Sequence, residues 1–254
     1  MDQSSPVGLI KVVIIGTAVV WSAYVIGESV VRFKTSQQLV EVTGSAAMPI
    51  TSDLIIWTGS VNQESPTLSL AYTGIKSQVK SVVAYLQKQG IDASDISTSA
   101  ITTTPLYEPL PKSNSSDNSD SSRVSYRKLV AYDLQEQVEV RSTNVMLVDK
   151  VSREVTDLLS SGINFSGQAP QYLYTKLGEA KVEILAKAAA DARRRADTLS
   201  KNAGANLGVV RYIRANPLQI TPRDDTNVSS EGQNDTTSLY KTITAIVDIG
   251  VSVR

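Results

Sequence analysis

The stretch SPTLSLAYTGIKSQVKSVVAYLQKQGI, residues 65–91, is where the fold becomes readable. Leu68, Ala71, Ile75, Val79, Val82 and Leu86 recur every three or four positions, the spacing of one apolar helix face. A helix is expected over about 66–89, with Ser65 as N-cap, Pro66 as first helical residue and Gly90 just past its end. Val145, Val148, Val151, Val155, Leu158 and Leu159 repeat the pattern, which stops at Gly162. Both helices run into Gly-Ile, as Gly90-Ile91 and Gly162-Ile163. A strand-like run precedes each, DLIIWTGSV from Asp53 and LVAYDLQEQVEV from Leu129, and an extended stretch follows each. The outcome is a strand–helix–strand unit used twice.

Further along, Leu177, Ala180, Ile184, Ala188, Ala192, Ala196, Leu199 and Ala203 mark a third helix over about 175–203. Its seam is rich in Ala, so something packs closely there. Glu183–Lys187, Asp191–Arg195 and Asp197–Lys201 are acid-before-base pairs at i,i+4, which suits an exposed polar face. Gly204 ends the helix, and a strand from about Leu207 to Arg214 follows. Ile243, Ala245, Val247, Ile249, Val251 and Val253 then alternate with mostly polar residues, the clearest strand pattern in the chain. Two polar inserts, 108–125 and 217–239, lack the apolar content to fold alone and are expected as hairpin tips, mobile or ordered only by a neighbour. The expected fold class is α+β, one domain with helices laid on a mainly antiparallel sheet.

Ahead of this domain, residues 7–31 read VGLIKVVIIGTAVVWSAYVIGESVV, apolar on all sides and long enough to cross about 30 Å of hydrocarbon. An uncleaved signal-anchor is expected over 1–34, with the folded domain at 35–254. A cleaved signal peptide would have a shorter apolar run and a small-x-small site, and a buried core helix is the less expected alternative for a run apolar on all faces at the very N-terminus. Arg32 and Lys34 follow the segment while Lys11 precedes it, which by the positive-inside rule favours a cytoplasmic domain. A chain without cysteine suits either side of a membrane. The residues alone leave both orientations open.

Composition removes more chemistry than it suggests. With no His and no Cys among 254 residues, thiol nucleophiles, Cys/His zinc sites and every Ser-His-Asp mechanism are absent. Twenty-five basic residues balance 25 acidic ones, so no global positive field draws in nucleic acid. Arg193-Arg194-Arg195 is the densest basic cluster, but consecutive helical positions point apart and make no single fork. Asp224 and Asp225 with Asp235, or Asp117 with Asp120, match no EF-hand spacing. The scattered glycines form neither a P-loop nor a G-x-G-x-x-G, and no carboxylate pair is picked out for glycoside chemistry. Tyr107, Tyr126, Tyr132, Tyr172 and Tyr174 fall in or near strands, either as a stacking surface or as ordinary sheet-face residues. No catalytic, cofactor-binding or metal-ligating residue is assigned.

Taken together, the residues resemble the SIMPL-domain family (DUF541), bacterial envelope proteins that include oxidative-stress-defence proteins. VEVTGSAAMPITSD at 40–53 is similar to the family's first strand, and QGIDASDISTSAITTTPLY at 89–107 to its Gly-Ile-x-x-x-Asp-Ile-x-Thr stretch. PQYLYTKLGEAK at 170–181, with Asp191, Ala192, Arg193, Gly204, Leu207 and Gly208, resembles its third helix and the Gly-x-x-Leu-Gly ending. Ser45-Ala46-Ala47 stand where an acidic residue is usual, and the insert at 108–125 is longer than typical. The resemblance covers about 38–254. It implies a repeated βαβ fold, a periplasmic or otherwise extracytoplasmic domain on the inner membrane, and a large ring-like or cage-like homo-oligomer, and it carries over no catalytic residues; a non-enzymatic scaffold is the favoured expectation. A binding module for a peptide, envelope polymer or small ligand is the alternative; a hydrolase using Asp/Glu alone comes third. Three methionines and no cysteine make the chain itself a poor oxidant scavenger.

Overall fold

The structure, a computed structural model, describes residues 21–22, 39–108, 128–225, 227 and 229–253. The candidate membrane span at 7–31 therefore lies outside the described residues, apart from Trp21 and Ser22, which are helical and exposed. Among the described residues no helix is long and apolar enough to cross a membrane. Most of the 108–125 insert, with Asp117, Asp120 and Tyr126, also lies outside them.

The two strand–helix–strand units share one sheet. Strand β2 (Leu54–Ser65) leads into helix α1 (Leu68–Lys88), then into β3 (Ile96–Thr98) and β4 (Thr102–Glu108). Strand β5 (Lys128–Ser142) leads into α2 (Val145–Glu154), a further helical turn at Asp157–Ser160, then β6 (Phe165–Gly167) and β7 (Gln171–Leu173). β2 and β5 pair antiparallel at the centre. The trailing strands cross over: β3 and β4 flank β5, while β6 and β7 flank β2. Each unit is thus completed by the other, the topology of a split βαββαβ fold. Its core is built from Ile75, Val79, Val82 and Leu86 of α1, Val148 and Val151 of α2, and the tilted pair Trp57–Phe165, whose ring centroids are 5.7 Å apart.

A second sheet with its own core replaces the expected single layer. Strand β1 (Leu39–Thr51) pairs antiparallel with β11 (Tyr240–Val253) along its whole length. The far edge of β11 is shared by β8 (Leu207–Ala215) and β9 (Gln219–Pro222), and β10 (Gln233–Asn234) runs parallel to β9. Helix α3 (Leu177–Asn202) covers this sheet with Ala180, Ile184, Ala188, Ala192 and Ala196 buried. At Gly44 the β1 backbone comes so near α3 that a Cβ there would lie 2.5 Å from the Ala188 carbonyl oxygen. The alanine seam is consumed inside the molecule by β1 and is not free for a copy. The stripe also drifts at its end, where Ser200 is buried and Leu199 is exposed.

Local signals explain the boundaries. Gly90, Gly162 and Gly204 all have positive φ, and the amides of Ile91, Ile163 and Ala205 bond back to Leu86, Leu158 and Ser200, a Schellman closure in each case. Thr67, not Ser65, caps α1 by accepting the Leu70 amide, so the helix starts two residues late. The 217–239 insert is a correction too. It supplies β9 and β10 and buries Ile220, while Gln219 donates to the Ser229 carbonyl at 2.7 Å and Thr221 to the Asp225 carbonyl at 3.1 Å. Paired backbone, not apolar content, orders it.

Candidate functional site

The chain crosses between sheets at Ser52-Asp53, and polar groups gather at that crossing. The Ser52 amide donates to Leu239, the Asp53 amide to Leu173 and the Tyr172 amide to Thr236. The Asp53 carboxylate receives the Thr175 amide at 2.7 Å and its hydroxyl at 2.8 Å, which fixes the turn into α3. Lys241 sits inside, 2% exposed, donating to the Tyr172 carbonyl at 2.7 Å and to the Asp235 carbonyl. One lysine therefore binds backbone of β7 in the first sheet and of the loop before β11 in the second.

Burial pulls the Lys241 ammonium below the usual lysine range, partly offset by the charge of Asp235. Burial acts on Asp235 in the opposite sense, yet hydrogen bonds from the Thr237 hydroxyl and amide, with the Lys241 charge, hold its carboxyl below the ordinary value. On the other side of β7, the Tyr172 hydroxyl donates to Asp149 at 2.6 Å, and Asp149 pairs with Arg153. Burial first, then the bond to Asp149 and its charge, push the Tyr172 phenol up to about 12.

The Tyr172 proton is thus held more tightly in the folded chain than in the unfolded one, whose phenol titrates near 10. The associated stability is complete below pH 10 and is lost as pH rises toward 12. An ultraviolet titration of the wild type is expected to contain one tyrosine with a midpoint about two units late, missing from Tyr172→Phe. A wild-type curve that matches that of Tyr172→Phe at its alkaline end would contradict the geometry.

A cavity of ≈250 Å³ opens at the same crossing. Leu54, Leu173, Leu177 and Ile220 form its apolar walls, with Lys241 inside. Arg141 of β5 lies at its rim, exposed and without an ion-pair partner among the described residues.

The residues singled out in the sequence are dispersed. Arg194 and Arg195 both pair with Asp191, the latter at 2.7 Å, and Asp191 also accepts the Ser45 amide at 3.1 Å. That amide bond, followed by the two arginines, keeps the Asp191 carboxyl low despite the desolvation opposing it. Arg194 and Arg195 thus stay exposed while paired with an acid of their own helix, and it is Asp191 that ties α3 to β1. Asp225 accepts the Asn227 amide, and Asp235 faces the crossing instead of joining it. No group of three or more acids placed to hold a metal occurs among the described residues. The tyrosines form no common surface: Tyr107 is exposed on β4, Tyr132 and Tyr172 belong to the first core and Tyr174 to the second. The buried carboxylates are kept apart as well, with Glu136 facing Lys76 at 3.2 Å on β5, Asp149 on α2 and Asp191 on α3.

Sequence reasoning passed over Lys241 and Glu136, although the signal was present. Lys241 is in phase with Ile243, Ala245 and Val247, and Glu136 with Leu134, Val138 and Val140, so both occupy inward positions of alternating strands.

No curated protein matches the chain. A family model does: residues 40–251 match SIMPL, described as "Protein of unknown function (DUF541)". The matched span opens in β1 and closes in β11, taking in both sheets and all three helices, and so the chain belongs to the SIMPL family.

Proposed function

We propose that the protein is a non-enzymatic scaffold, tethered to the inner membrane through residues 7–31, whose extracytoplasmic SIMPL domain assembles with copies of itself into a large ring or cage. The observation that carries this reading is the β4–β5 ribbon. Every residue of β4 except Leu106 is exposed, and so are Lys128, Leu129 and Val130 opposite it. Past Tyr132, the last β5 residue paired with β2, the ribbon is two-stranded; such a ribbon is marginal by itself, yet this tip carries Tyr107 at 48% and Val130 at 43% exposure. The open edge offers a second surface. Among the described residues β8 pairs only with β11, and its Val209, Val210 and Ile213 are exposed. Identical copies cover such surfaces most simply through a closed symmetric assembly.

The association with stress defence comes from the family resemblance and would be indirect, given the lack of cysteine. Mass measured by light scattering on the detergent-solubilised full-length protein tests the assembly. A single large species is expected, falling to monomer or small oligomer in Tyr107→Glu/Val130→Glu with an unchanged far-ultraviolet circular dichroism spectrum. A monomeric wild type, or a variant of undiminished mass, sinks the scaffold reading.

A further inference from the structure

We propose that the cavity between the two sheets binds a small monocarboxylate with an apolar tail, an aliphatic or aromatic acid. This goes beyond the scaffold reading and does not depend on assembly. Lys241 uses two of its three N–H groups on the Tyr172 and Asp235 carbonyls, and the third has no acceptor among the described residues. A nearly buried ammonium with an unspent donor attracts an anion far more strongly than one in water. Arg141 brings a second cation to the rim, with no ion-pair partner for its guanidinium among the described residues. Asp235 also lines the cavity, but its carboxylate is turned back onto the Thr237 amide at 2.8 Å and hydroxyl at 2.7 Å. Two cations against one carboxylate leave the cavity positive by one charge.

Two further features narrow the ligand. Helix α3 starts at the cavity, Leu177 being both its first residue and a wall, and Lys176 makes no side-chain cap bond, so the positive end of the helix lies nearby. Tyr174, Thr175 and Asn234 add polar groups to the lining, but the walls of Leu54, Leu173, Leu177 and Ile220 leave much of it without hydrogen bonds for a strongly hydrated dianion such as phosphate and suit a hydrocarbon tail. A carboxylate set between Arg141 and Lys241, with its tail among these aliphatic groups, satisfies both halves of the lining.

The test is isothermal titration of full-length protein in detergent with sodium 4-methylpentanoate and sodium benzoate. The matching neutral amides and inorganic phosphate serve as separate arms. Arg141→Gln is the informative variant, because the side chain is exposed and bonded to none of the described residues, and a thermal melt confirms its fold. One-to-one saturable binding of at least one acid is expected, with no binding of its amide or of phosphate. Affinity is expected to fall about tenfold or more in Arg141→Gln. Absence of saturable binding by both acids, equal binding of phosphate or the amides, or unchanged affinity in a folded Arg141→Gln overturns the assignment.

Discussion

Gly44→Ala is expected to destabilise the protein by about 3 kcal/mol or more, and Gly44→Val by more still, in urea unfolding followed by circular dichroism. The reason is what the added carbon would meet. Gly44 lies in the inward phase of β1, and its Cβ would fall against the Ala192 backbone nitrogen and 2.5 Å from both the Ala188 carbonyl oxygen and the Ala192 Cα. No side chain can turn aside to make room, because the three nearest atoms are all main chain. The helix has to lift from the sheet, opening the contacts of Ala188, Ala192 and Ala196 and straining the bond from Ser45 to Asp191. Trimming the helix with Ala192→Gly should therefore not rescue Gly44→Ala. A rescue, or a loss below 1 kcal/mol, would show that β1 and α3 are not in such close contact.

Lys241→Met keeps the apolar stem and removes the ammonium. The carbonyls of Tyr172 and Asp235 then lose a donor inside the protein, and each unsatisfied buried acceptor costs about 1–3 kcal/mol, so a loss of about 3 kcal/mol is expected. Lys241→Ala adds an empty volume and should be worse. The damage should be local at first: hydrogen exchange is expected to rise at the amides of Ser52, Asp53 and Tyr172, which cross between the sheets, before it rises in either core. Uniform loss of protection would mean that the two sheets open as one unit. No change in stability would mean that the lysine is not needed at the crossing.

The helices were legible because each presents an apolar stripe at helical spacing, and α1 and α3 have a glycine just past their ends, both local properties. The break between Glu154 and Asp157 was not legible, since Val155 and Leu158 keep helical spacing through it. That two sheets exist was hidden for a different reason. Alternation says which side of a strand is buried, but not which strand lies next to it, and the partner of β1 is the far-distant β11. Residues 217–239 misled through composition, because Gln219 and Thr221 are buried through hydrogen bonds and not by being apolar. The crossing was missed because the alternation was followed only from Ile243, which left out Lys241, two residues earlier and in the same inward phase. The cavity combines side chains from β2, β5, β7, β9 and β11 with the start of α3, a juxtaposition that no local pattern encodes.

The pairing of β1 with β11 also sets an order of events during synthesis. Everything in the sheet centred on β2 and β5 lies within residues 54–173, so that half can close as soon as those residues leave the ribosome. β1 is made first and waits longest: its only strand partner among the described residues, β11, is made last. Until then its edge is bare, and α3 has only part of its sheet to rest on. Two chains emerging side by side are each, for that interval, an acceptor for the other's late strand. Crowded synthesis should therefore favour exchanged pairs, with β1 of one molecule zipped to β11 of the next.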